Sequence, residues 1–147
     1  MLDVELLQKV FSDDIPITNA IGLRVVSVTN NSLSLSAPLE KNHNDKNTAF
    51  AGSLYSVAVL AGWGFLQMAL KNAGLDGQVV IQESGIKYYQ PVTDDIVAKC
   101  SADFETDMEK FLQLFRRKDR ARIRLVVQIH QGEQLAVEFE GQYVAYQ

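Results

Sequence analysis

At 147 residues the chain is long enough for one domain with a full hydrophobic core. A net charge of −4 argues against nucleic acid as the main partner. The single Cys100 excludes an internal disulfide and a cysteine zinc site, which suits a reducing cytoplasm. Met1-Leu2-Asp3-Val4-Glu5 lacks the basic start of a secretory signal.

Residues 3–11 pattern as a short amphipathic helix with Val4, Leu7, Val10 and Phe11 on one face, ended by Pro16. Ile21 to Val28 reads as a strand and Asn30-Asn31 as a turn. Leu33, Leu35 and Ala37 then alternate with Ser32, Ser34 and Ser36, a half-buried second strand, with Pro38 near its end.

The centre of the chain runs from Asn42 to Leu70. An Asn-rich polar loop leads into a segment without charge from Thr48 to Leu70. A helix apolar on every side is buried on every side, so this is the expected core helix, with Gly52-Ser53 at its start and Ser53 able to cap it. The segment is long enough to be weighed as a membrane span. Gly52, Ser53, Ser56, Gly62, Gly64 and Gln67, and the strands on both sides, favour the core helix. Its N-terminus carries unpaired N–H groups and partial positive charge, which suit an anion or oxyanion.

Asn72 to Gly77 is a Gly-rich stop. Gln78 to Gln90 reads as a long strand ended by Pro91, and Ile96 to Phe104 as another. Residues 105–118, charged and irregular in pattern, read as a mobile loop. Ala121, Ile123, Leu125, Val127 and Ile129 alternate with polar neighbours. Gln131-Gly132-Glu133 is a hairpin turn, and Leu135 to Tyr146 the last strand, where Gly141 suggests a bulge. The expected fold is α+β: a single domain over 1–147, with a curved six-stranded antiparallel sheet around one long helix. Its exposed edges predict pairing into a homodimer.

Ser36-Ala37-Pro38-Leu39, Asn42-x-Asn44, Thr48-x-Phe50-Ala51-Gly52-Ser53-x-Tyr55, Ala61-Gly62-Trp63-Gly64 and Tyr88-x-x-Pro91-Val92 resemble one branch of the hotdog-fold superfamily. That superfamily acts on acyl-CoA and acyl carrier protein thioesters. The branch has been named a putative thioesterase and includes malonyl-acyl carrier protein decarboxylases. In some members it follows an acetyltransferase-like domain, and this chain looks like the stand-alone form. The resemblance implies a cytoplasmic enzyme that uses phosphopantetheine or CoA only as part of its substrate, with no cofactor, membrane or nucleic-acid partner.

Thioester hydrolysis usually takes a carboxylate to activate water or attack. Many hotdog thioesterases carry it on the central helix, where this chain has Ser56, Val57, Ala58, Val59 and Leu60. No acid lies between Asp45 and Asp76. Malonyl decarboxylation needs no base, only donors that stabilise an enolate. Asn44 matches the branch's loop asparagine and is the first catalytic candidate, with the backbone N–H of Gly52 or Ser53 as the oxyanion site. The same asparagines also suit plain turn formation. His43, Asp45, Thr48, Phe50 and Tyr55 are candidate substrate-binding residues, Asp45 being the alternative base. Arg116, Arg117 and Arg120, within a basic run reaching Arg124, suit an acidic carrier or the phosphates of its arm. Cys100 and His130 are expected to play no part, and no metal-ligand spacing is present. The expectation is decarboxylation of malonyl-acyl carrier protein to acetyl-acyl carrier protein, supporting fatty acid biosynthesis. A thioesterase is the alternative, and a non-catalytic acyl-carrier binding domain a further one.

Overall fold

The computed structural model describes residues 3–147. Met1 and Leu2, part of the start read above for a signal, lie outside the described residues. Helix α1 (Val4–Asp14) begins where the Asp3 carboxylate accepts the Leu6 N–H at 2.8 Å, as an N-cap does. Leu7 and Phe11 are buried, whereas Val4, expected on the same face, is exposed. The chain leaves the helix before Pro16, as a residue preceding proline is disposed to do. It then makes one short turn, α2 (Ile17–Ala20), that the sequence pattern did not announce.

Among the described residues six strands form one antiparallel sheet: β1 (Arg24–Val28), β2 (Ser32–Ala37), β3 (Gln78–Tyr88), β4 (Ile96–Ser101), β5 (Arg120–Gln131) and β6 (Gln134–Tyr146). Their order is β1-β2-β4-β5-β6-β3, so β1 and β3 are the edges. Leu33, Leu35 and Ala37 are buried and their serine neighbours half-buried, the alternation read from sequence. Gly132, at φ 61°, sits in the tight turn between β5 and β6, where glycine meets no steric penalty.

Two expectations are corrected. Gly141 is no bulge: it pairs in register with Leu125 on one side and Ser84 on the other. The register shifts instead around Gln82 in β3, Val26 in β1 and Ala136 in β6. Gly141 faces inward between Phe139 and Tyr143, and a Cβ there would lie 2.8 Å from the Phe139 ring. Its lack of a side chain serves ring packing.

Residues 105–118 are not a mobile loop either. A π-helical turn (Phe104–Met108) leads into α5 (Glu109–Lys118). Met108, Phe111, Leu112 and Phe115 are buried at helical spacing. The charges that disguised this stripe are ordered along the helix axis. Glu109 lies in the first turn and Arg116, Arg117 and Lys118 in the last, as the helix dipole favours. β4 pairs β5 only as far back as Val126. Lys110, Phe111 and Leu114 of α5 line a cleft with Arg122, Ile123 and Arg124, so α5 flanks the stretch of β5 that β4 leaves open.

The sheet wraps α4 (Ala51–Asn72), the 22-residue central helix. Among the described residues it is the one helix long and apolar enough to cross a membrane. Val57, Ala58, Ala61 and Leu66 are fully buried in it, which makes it a core helix. Its glycines set the approach of its neighbours. A Cβ on Gly62 would lie 2.3 Å from the Tyr143 hydroxyl, which donates to the Val59 carbonyl at 2.7 Å. A Cβ on Gly64 would meet Phe11 and Leu33 at 2.9 Å. Phe11 also packs on Trp63 at 5.7 Å between ring centres, and Trp63 Nε1 donates to the Val79 carbonyl of β3 at 3.1 Å. Thus α1 and β3 both meet the C-terminal half of α4. On its N-terminal half, Gly52, Tyr55, Ser56 and Val59 remain half-buried.

Candidate active site

Short helix α3 (Leu39–Asn42) brings the chain to the polar loop, and Asn42 anchors both of the loop's ends. Its side chain is 2% exposed. Nδ2 donates to the Ile21 and Pro38 carbonyls at 2.9 and 2.7 Å. Its own carbonyl accepts the Phe50 N–H at 2.7 Å. Asn42 Oδ1 is buried without a partner.

Asn44 organises the interior of the loop. Its Oδ1 accepts the N–H groups of Lys46 at 2.8 Å and Thr48 at 3.1 Å. Its Nδ2 donates to Thr48 Oγ1 at 2.8 Å, and its backbone N–H donates to the Thr48 carbonyl at 2.8 Å. The other Nδ2 hydrogen has no acceptor among the described residues. Asn47 takes φ 61°, the left-handed region that asparagine tolerates. Ala49 donates to the Val92 carbonyl at 2.8 Å, fastening the loop to the segment after β3. The three asparagines therefore divide the work into anchor, organiser and turn.

His43 is exposed, with Nδ1 2.9 Å from the Asn44 carbonyl. In the neutral ring that contact puts the hydrogen on Nδ1 and leaves Nε2 to accept. The Asp45 side chain is 81% exposed and pairs with Lys46 at 3.2 Å.

Helix α4 starts three residues earlier than a Ser53 cap would place it, with Phe50 at the N-cap and no side-chain cap. Ser53 is therefore buried within the first turn and does not cap it. Its N–H donates to the Phe50 carbonyl at 3.0 Å, so of the two backbone donors proposed from sequence Gly52 is the one still available. The N–H groups of Ala51 and Gly52 have no acceptor among the described residues. The Phe50 ring folds over Gly52, where a Cβ would lie 2.4 Å from Cε2.

β3 supplies a second wall that sequence reasoning largely missed. Tyr55 Oη is hydrogen-bonded to Ser84 Oγ, and its ring stands edge-on to Phe139 at 5.6 Å. Tyr88 donates to the Ala51 carbonyl at 3.2 Å. Desolvation, and secondarily the neighbouring Tyr55, raises the Tyr88 pKa. Tyr88 had a signal in the Tyr88-x-x-Pro91-Val92 motif; Ser84 had none. Ser56 is bonded back to the Gly52 carbonyl at 2.8 Å. The helix-end wall thus presents hydroxyls, an amide and free N–H groups, and no carboxylate lies on α4.

The basic residues lie elsewhere. Arg116 lines a cavity of about 410 Å³ with Phe65, Met68, Ala69 and Leu112. Met68 is 17 residues beyond Ala51, about 25 Å along a helix rising 1.5 Å per residue. Within one chain, Arg116, Arg117 and Arg120 do not join the loop. Cys100 is fully buried and burial pushes its thiol up to about 12, which makes it an inert core residue.

The family described as "Putative thioesterase (yiiD_Cterm)" matches residues 4–147. The chain belongs to this family. A solved protein of unknown function from Chlorobaculum tepidum is 36% identical, with 99% of this chain and 98% of that chain covered and a TM-score of 0.91. A structure titled putative thioesterase from Shewanella oneidensis is 30% identical over 98% of this chain and 97% of that one, at TM-score 0.89. A Pseudomonas aeruginosa protein titled probable thioesterase, 20% identical, covers 99% and 96% at TM-score 0.84 and shares the fold. The six-stranded sheet around a long helix is the hotdog architecture of these relatives, and the family is one of thioester-acting enzymes.

Proposed function

We propose that this protein decarboxylates malonyl-acyl carrier protein to acetyl-acyl carrier protein, supplying fatty acid biosynthesis. One observation carries the reading. The site at the start of α4 is rich in fixed neutral donors, while the loop's one carboxylate, Asp45, is turned to solvent on Lys46. In this reaction the bond between the malonyl α-carbon and its carboxylate breaks. The electron pair passes to the thioester enolate, CO2 leaves, and the α-carbon takes a proton from water. Negative charge collects on the thioester oxygen, where the free Asn44 Nδ2 hydrogen and the Gly52 N–H stabilise it without titrating. Because the Asn44 side chain is held by three hydrogen bonds within the loop, its donor is set before substrate arrives.

A thioesterase is the second reading, favoured by the family's description and by Asp45 in the same loop. Incubating the protein with malonyl- and acetyl-thioesters and identifying products by mass separates the two. CO2 and an acetyl thioester support decarboxylation; free acid supports hydrolysis.

The working unit in this proposal is a homodimer paired along the β3 edge, where Val80 and Tyr88 are exposed. A two-fold there runs the two α4 helices antiparallel. The basic end of one protomer then approaches the loop end of the other, so Arg116, Arg117 and Arg120 receive the acidic carrier that feeds the neighbouring site. Light scattering at micromolar concentration tests the dimer, and a monomer contradicts it.

A further inference from the structure

We infer that the Thr48 hydroxyl is a second side-chain donor to the substrate's thioester oxygen, held in place by Asn44. This rests on the site proposed above and assigns Thr48 a catalytic role in it, with Asn44 both donor and positioning residue.

The two backbone donors on Asn44 Oδ1, from Lys46 and Thr48, identify that atom as oxygen and the other as Nδ2. Nδ2 therefore donates to Thr48 Oγ1, and the threonine oxygen is the acceptor in that bond. The hydroxyl's own hydrogen must point elsewhere, and it has no acceptor among the described residues. Thr48 is half-buried, so this hydrogen is partly shielded from water yet open to a ligand. Asn44 holds Thr48 three times, at its N–H, its carbonyl and its hydroxyl. The chain of bonds also polarises the hydroxyl in the direction of donation.

The result is a pair of donors on adjacent atoms, Asn44 Nδ2 and Thr48 Oγ1, separated by 2.8 Å. One oxygen can accept from both, as an oxyanion with several lone pairs does. A threonine that served only the turn needs its hydroxyl as acceptor alone and leaves the hydrogen to solvent.

The test compares Thr48→Val, which keeps the shape without the hydroxyl, with Thr48→Ser, which keeps the hydroxyl. Turnover and KM on malonyl-thioester are read for both, with thermal melts to confirm folding. Thr48→Val should lose about a hundredfold or more in kcat, the usual cost of an oxyanion donor, with KM changed only a few-fold. Thr48→Ser should stay within about tenfold of wild type. The double variant Asn44→Ala/Thr48→Val should be no worse than Asn44→Ala alone, because the alanine has already released the hydroxyl. A Thr48→Val enzyme with wild-type kcat overturns the inference. So does a Thr48→Ser loss as deep as that of Thr48→Val, which assigns the effect to loop shape, and so do losses that multiply in the double variant. If wild type releases free acid instead of CO2, the decarboxylase reading falls separately. The same series then tests the hydroxyl on hydrolysis, whose tetrahedral intermediate charges the same oxygen.

Discussion

The two halves of α4, uncharged as far as Leu70, meet different surroundings. The C-terminal half is held by its neighbours: the Phe11 ring of α1 packs on Trp63, and Trp63 reaches the Val79 carbonyl of β3. Around it Phe65, Leu66, Met68 and Leu70 are buried. The N-terminal half has a polar loop at its end, two free N–H groups, and a half-buried side running from Gly52 to Val59. An apolar helix can therefore hold a domain together at one end and present chemistry at the other. Substitutions in the two halves should separate stability from turnover.

The C-terminal half should show the larger stability effects. Phe11→Ala removes a fully buried ring from between α1 and α4 and should cost about 3–5 kcal/mol in denaturant unfolding. The kcat of the remaining folded enzyme should be unchanged. A loss of kcat equal to that of a loop variant would erase the distinction between the halves. Gly62→Ala drives a methyl group into Tyr143 and should cost about 1–3 kcal/mol by overpacking. A stability equal to wild type would show that Tyr143 can move aside and give up its bond to Val59.

The basic end makes a smaller, kinetic prediction. Replacing Arg116, Arg117 and Arg120 together by Ala should raise KM for the carrier-bound substrate several-fold and flatten its salt dependence, leaving kcat near wild type. An unchanged KM and salt profile would make these residues a solvated surface.

A further effect concerns pH. An unfolded chain ionises Cys100 near its ordinary 9.0, whereas the folded thiol is pushed up to about 12. The native state thus binds this proton where the unfolded state has lost it. The resulting stability is complete below pH 9 and is lost as pH rises toward 12. Tyr143, also raised by burial, acts on the same limb. Melting temperature should fall across that window, and Cys100→Ala should flatten part of the fall. Native protein should leave a thiol reagent unreacted at pH 8 until it unfolds.

How much of this the sequence disclosed depended on how local each signal was. Alternation in Ser32 to Ala37 and along most of β5, and the absence of charge from Ala51 to Leu70, marked elements defined by their burial. Helix α5 escaped because its stripe of Met108, Phe111, Leu112 and Phe115 is outnumbered by surface charge, and only tertiary packing shows that the stripe is buried. Gly141 looked like a break in alternation because a glycine can mark either a bulge or a close approach. The second is true here, and the evidence for it is in the flanking rings. The loop's asparagines were visible, but their separate jobs were not, since Asn42 bonds residues 21 positions away. Nor could sequence show that the Ser53 N–H is taken by Phe50, or that Arg116 lies beside Met68, about 25 Å along α4 from Ala51.

The central claim is that neutral donors of the loop, with Asn44 at their centre, drive decarboxylation of a malonyl thioester. The direct test assays Asn44→Ala and Asp45→Asn on malonyl- and acetyl-thioesters, with products identified by mass. The account predicts that Asn44→Ala, still folded and dimeric, loses about a hundred- to a thousand-fold in CO2 release, while Asp45→Asn stays close to wild type. An Asn44→Ala enzyme that still decarboxylates, or an Asp45→Asn enzyme that is dead while wild type yields free acid, would contradict it.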